Sequence, residues 1–69
     1  MNPSTVTNNI KAEMKRRGIK SPEMMNAMDL KSGTYYNRMK HPEDLTIGNL
    51  IDAARLMQVP VFVLMHEEH

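Results

Sequence analysis

Apolar residues recur every fourth position at Val6, Ile10 and Met14, with Ala12 set among the charged Lys11, Glu13, Lys15, Arg16 and Arg17, and this spacing predicts an amphipathic helix over 5–17. Gly18 then supplies a left-handed stop behind three cations, which favour a helix C-terminus. A second, short helix is expected over 21–28: Ser21 suits the N-cap, Pro22 the first helical position and Glu23 the positive end of the dipole. Met24 and Met28 stand one turn apart with Met25 and Ala27 beside them, until Asp29 interrupts. Leu30 is the apolar residue of the turn, and Ser32 caps a third helix, 32–40, whose Tyr35 and Met39 at i and i+4 face inward. Pro42 disfavours helical geometry at His41 and closes that helix near Lys40. A fourth helix, 46–57, starts on Thr46 with Leu45 and Leu50 spaced as a hydrophobic staple, and Ile47, Leu50, Ile51, Ala54 and Met57 form its expected core face. Pro60 is expected to end it and to open a short fifth helix, 60–66, through the apolar run Val61–Met65. Residues 1–4 and 67–69 read as a frayed arm and a tail.

The pattern therefore predicts an all-α chain, a compact bundle of four to five helices with a helix-turn-helix at its centre. With 69 residues it is a single domain, 1–69, and so small a core is marginal, which makes dimerisation useful. The fully apolar segment near the end either completes the core or meets a partner subunit, and in the second case Val61, Phe62, Leu64 and Met65 are the candidate dimer surface. The chain has no cysteine, so disulfides, thiolate metal sites and thiol nucleophiles are excluded. No apolar run reaches the ~18 residues of a membrane span, and the basic-then-apolar pattern of a signal peptide is missing, so a soluble cytoplasmic protein is expected.

Charge adds an asymmetry that the overall +1 conceals. Lys11, Lys15, Arg16, Arg17, Lys20, Lys31, Arg38 and Lys40 face only Glu13, Glu23 and Asp29 in residues 1–40, whereas Arg55 alone opposes Glu43, Asp44, Asp52, Glu67 and Glu68 thereafter. The basic half is the half that contains the central helix pair, an arrangement suited to a polyanion. The outward side of the third helix carries Gly33, Asn37 and Lys40, flanked by Thr34 and Tyr36, a face rich in hydrogen-bonding groups.

Met14-Lys15-Arg16-Arg17-Gly18-Ile19 resembles the end of the first helix of the small helix-turn-helix domains of phage repressor and Cro-type regulators, the lambda-repressor-like family. Thr34-Tyr35-Tyr36-Asn37-Arg38-Met39 resembles that family's recognition helix, and Pro42 through Met57 its proline-containing loop and fourth helix. The resemblance covers about residues 5–65. It implies a DNA-binding transcriptional regulator, bacterial or phage-encoded, that inserts helix 32–40 into the major groove and binds an inverted repeat as a homodimer. On this reading Ser32, Gly33, Thr34, Tyr36 and Asn37 face bases, with Asn37 suited to the N6 and N7 edge of adenine. Lys20, Ser21, Lys31, Arg38, Lys40 and His41 would contact phosphates.

Three positions depart from the family. Met25 stands where a small residue is usual on the second helix, and its flexibility lets it adapt. Asp29 replaces the usual turn glycine and is among the few residues that enter left-handed geometry without a severe penalty. Gly33 offers no side chain where related proteins often place a base reader, which shifts the expected affinity toward shape and phosphate contacts.

An enzyme is not expected, since the sequence carries no phosphate-cradling glycine loop and little length for a walled pocket. No cofactor, metal site or small-molecule ligand is expected either. His66 and His69 stand at i and i+3 but lack zincin spacing and a third ligand, and His41 has no sequence-evident catalytic partner. The rival function on the same fold is a protein-interaction module, antitoxin-like or antirepressor-like, with weak or no DNA binding.

Overall fold

The computed structural model describes residues 2–67. It contains five α-helices: α1 (Pro3–Arg17), α2 (Ser21–Met28), α3 (Ser32–Lys40), α4 (Ile47–Met57) and α5 (Val61–Met65), with a 3-10 turn at Pro42–Asp44 between α3 and α4. The all-α reading and all five elements are therefore present, and the differences lie at their ends.

The chain starts its first helix two residues earlier than the periodicity suggests. Asn2 is the N-cap: its side-chain oxygen accepts from the Ser4 N–H at 3.1 Å and from the Ser4 hydroxyl at 2.7 Å. Pro3 follows at a position where its missing N–H costs nothing. Residues 2–4 are thus capped helix rather than a frayed arm, while Met1 lies outside the described residues, as do residues 68 and 69 of the expected tail. Asn2 also donates its backbone N–H to Glu67 Oε1 at 3.2 Å, joining the two ends of the chain.

The two serines expected as N-caps are instead the first helical residues. Lys20 and Lys31 hold the extended cap geometry before α2 and α3, and no side chain caps either helix. On α2 the Glu23 carboxylate reaches back to the Lys20 N–H at 3.4 Å.

Three of the helices, α1, α2 and α4, end on a left-handed residue. Gly18 has φ 68 with the Ile19 N–H bonded to Met14 O at 2.9 Å, and Asp29 has φ 56 with the Leu30 N–H bonded to Met25 O at 3.0 Å. The third instance has no obvious sequence signal: α4 ends because Gln58 turns left-handed at φ 58, and Val59 N–H bonds Ala54 O at 3.0 Å. The helix has stopped before Pro60, whose role is only to precede α5.

Thr46 does cap α4, and the cap is reciprocal. Its hydroxyl accepts from Asn49 N–H at 3.0 Å while Asn49 Oδ1 accepts from Thr46 N–H at 3.1 Å. The buried face of α4 consists of Asn49, Leu50, Ala53, Ala54 and Met57. Ile47 (68% exposed) and Ile51 (39%) are turned outward, a correction to the core face expected for this helix.

The core gathers Val6, Ile10 and Met14 of α1, Met24 and Met28 of α2, Tyr35 and Met39 of α3, the α4 face and Leu64 of α5. Met25 is half-buried against this cluster. A methionine-rich interior fills irregular gaps between short helices because the thioether chain has many accessible shapes. α1 packs on α4 and α5, and α2 lies on α4, so α3 is held on the remaining side against α2 and the 3-10 turn.

Candidate functional site

Helix α3 has one apolar edge and one open face. Tyr35 is 3% exposed and Met39 8%, which fixes the roll of the helix on the core. Tyr35 places its hydroxyl 3.8 Å from the Met14 sulfur and its ring edge-on to Tyr36, the centroids 5.1 Å apart and the planes at 76°. Burial pushes the Tyr35 phenol above its ordinary value of 10.0, while a hydrogen bond from Ser21 pulls the other way and the Tyr36 charge adds a small upward push. This side chain is therefore a neutral anchor.

With that roll fixed, Ser32, Gly33, Thr34, Tyr36, Asn37 and Lys40 all stand exposed. The five residues expected to face bases are thus all exposed, with Gly33, Thr34 and Asn37 lining one hollow and Tyr36 another. At Gly33 an added Cβ would meet nothing within 4 Å, so no neighbour in the chain itself requires a glycine there. Of the residues expected at phosphates, Lys20, Lys31, Lys40 and His41 are exposed and Ser21 is half-buried. His41 Nδ1 lies 3.7 Å from Glu43 Oε1, a carboxylate that competes for any imidazolium charge.

Arg38 has a second role. Its guanidinium is half-buried and donates through Nη1 to Asn49 Oδ1 at 2.7 Å, so it ties α3 to the start of α4 while also lining the hollow beside Asn37. Sequence reasoning missed Asn49 as the partner because its only local signal, the Thr46–Asn49 spacing, explains the cap and says nothing of α3.

The dimer residues divide. Leu64 is 0% exposed and belongs to this chain's own core, which removes it from the expected interface. Its helix is drawn onto α1 by Asn9, whose Nδ2 donates to Leu64 O at 3.0 Å and His66 O at 2.8 Å. These are carbonyls that a terminal helix would otherwise leave open. Val61 and Met65 are half-buried, while Phe62 stays 68% exposed.

Two hollows flank α3. One, of about 610 Å³, is polar and lined by Gly33, Thr34, Asn37, Arg38 and Asp44. The other, of about 630 Å³, lies between α1 and α3 and is lined on its rim by Lys11, Lys15, Lys20 and Lys40. Lys11 and Lys15 were not singled out in the sequence, although their i, i+4 spacing puts them on one edge of α1. The neighbouring Arg16 and Arg17 are spoken for, because both pair with the buried carboxylate of Glu13, at 2.5 Å for Arg16. His66 is exposed on the chain beyond α5, and its expected companion His69 lies outside the described residues.

No protein-family model, curated protein or solved structure matches this chain. No helix among the described residues is long and apolar enough to cross a membrane.

Proposed function

We propose that this chain is a sequence-specific double-stranded DNA-binding regulator of the phage repressor or Cro type, with α3 as the groove-entering helix. The observation that carries the reading is the exposure of Ser32, Gly33, Thr34, Tyr36, Asn37 and Lys40 on a helix whose roll is set by buried Tyr35 and Met39. A major groove admits one helix, and a side-chain-free Gly33 near the leading end permits close approach to the duplex. Asn37 reads adenine, Thr34 and Ser32 contact bases or phosphates, and Tyr36 packs on a thymine methyl. Lys20, Lys31 and Lys40 supply the backbone attraction. Homodimerisation through Phe62, with Val61 and Met65 beside it, fits an inverted repeat with half-sites about one helical turn, ~34 Å, apart.

The test is a duplex titration at two ionic strengths after selection from a random duplex library. The apparent affinity falls steeply with salt, in proportion to the phosphates neutralised. Tyr36→Ala weakens binding while leaving the folded state intact, whereas Tyr35→Ala mainly lowers stability. If no duplex, including the DNA upstream of the protein's own gene, binds at low salt, the regulator reading fails. One observation favours the protein-interaction alternative: Asp44 lines the same hollow as Asn37 and Arg38, and a carboxylate there opposes a nearby phosphate.

A further inference from the structure

We propose that the lysine-rimmed hollow between α1 and α3 is a docking site for an acidic protein segment that carries one bulky apolar side chain among its carboxylates. The floor is apolar, formed by Met14, Ile19, Tyr35 and Met39. The rim is cationic, with Lys11 and Lys15 one turn apart on α1, Lys20 at the entry to α2 and Lys40 at the end of α3. All four lysines are exposed, none of them is in an ion pair among the described residues, and no carboxylate lines the hollow. The contrast with the next cations along α1 is direct, since Arg16 and Arg17 share the carboxylate of Glu13.

Charge and shape together select the occupant. A volume of about 630 Å³ falls within the ~300–1,000 Å³ typical of sites that bury a compact apolar group. The lysine stems extend the apolar wall while their ammonium groups remain in water around the mouth. A single small anion satisfies one or two of these cations. Cations on three separate stretches of chain call for several negative charges spread around an apolar centre, which is what a Glu- and Asp-rich segment with a phenylalanine or leucine anchor presents. The hollow also includes Ser21 and Tyr36, so the segment and a duplex on α3 exclude each other. Binding of the segment stands apart from the DNA reading, and only the mutual exclusion rests on it.

The experiment uses the full chain and the peptide acetyl-Glu-Asp-Glu-Phe-Asp-Glu-amide. The chain has two tyrosines and no tryptophan, and both tyrosines line the hollow, so tyrosine emission and near-ultraviolet circular dichroism report occupancy directly. A saturable change is expected with this peptide. Binding weakens on the order of tenfold when the peptide's phenylalanine is replaced by alanine, the loss of a buried apolar side chain. It weakens to a similar degree when its carboxylates are replaced by amides. Lys11→Gln with Lys15→Gln lowers peptide affinity on the order of tenfold, about two- to fivefold per lysine. Arg55→Gln, which removes a cation outside the hollow, leaves it unchanged.

The proposal is overturned if no saturable change occurs, if the alanine peptide binds as well as the phenylalanine peptide, or if the double lysine variant binds like the wild type. A labelled selected duplex separates the two readings. Peptide binding without duplex binding sinks the regulator reading and leaves the docking site standing, duplex binding without peptide binding does the reverse, and simultaneous binding of both refutes the exclusion.

Discussion

Replacing Asn49 by alanine removes the joint between α3 and α4. Asn49 is 6% exposed, and its Oδ1 accepts from Arg38 Nη1 at 2.7 Å and from Thr46 N–H at 3.1 Å. A hydrogen bond to a charged donor contributes ~1.5–3 kcal/mol, and the half-exposed Arg38 argues for the lower end. The cap bond adds ~0.5–1.5 kcal/mol, and the better helix propensity of alanine returns ~0.5 kcal/mol, leaving a net loss of about 2 kcal/mol. For a chain of 69 residues the whole stability is on the order of 3–10 kcal/mol, so the loss is a substantial fraction. The melting temperature then falls on the order of 10–15 °C. Urea unfolding followed by far-ultraviolet circular dichroism should show the midpoint shift at unchanged slope. Asn49→Asp is the discriminating partner variant, because its carboxylate keeps both acceptor contacts, adds attraction to Arg38 and suits the start of a helix. It is expected to match or exceed the wild type. If Asn49→Ala unfolds within ~0.5 kcal/mol of the wild type, or Asn49→Asp loses as much as the alanine variant, acceptance by Oδ1 is not what holds α3 to α4.

Further outcomes follow from individual residues. Gln58→Gly relieves a left-handed backbone at φ 58 and raises stability by about 1 kcal/mol in urea unfolding, whereas Gly18→Ala at φ 68 loses a similar amount. Leu64→Ala costs about 2–4 kcal/mol because the side chain is fully buried in its own chain. Phe62→Ala leaves the monomer's stability nearly intact and reduces self-association in sedimentation velocity. Tyr35 holds its proton more tightly when folded than its ordinary value of 10.0, so the unfolded chain gives up that proton first. Stability is thus insensitive to this group below about pH 10 and declines as pH rises from there toward the folded value. Tyr35→Phe should flatten that alkaline decline in paired urea titrations at about pH 9 and pH 11, and an equal decline in both proteins would rule Tyr35 out as its source.

The sequence by itself determined the all-α character, the first four helices and most of their stops. That information is local: the i, i+4 spacing of Val6, Ile10 and Met14, the left-handed tolerance of Gly18 and Asp29, and the cap at Thr46 need no distant partner. Even the face of α3 was readable, because Tyr35 and Met39 are the large apolar residues one turn apart in a polar helix. Tertiary structure decided what depends on distant neighbours. Periodicity put Ile47 and Ile51 on the core side of α4, but an apolar stripe wider than the available interface can be rolled, and the contacts of α2 selected the Asn49, Leu50 and Ala53 side instead. Leu64 read as interface or core with equal ease until Asn9, far away in the chain, supplied the hydrogen bonds that seat α5 on α1. Arg38 looked like a free cation, and only the approach of α4 gave it Asn49. The lysine-rimmed hollow arises the same way: four cations scattered between residues 11 and 40 become one rim only when the folded chain brings them around Met14 and Tyr35, since a chain encodes local helix geometry in nearby residues but a cleft in pairs far apart along it.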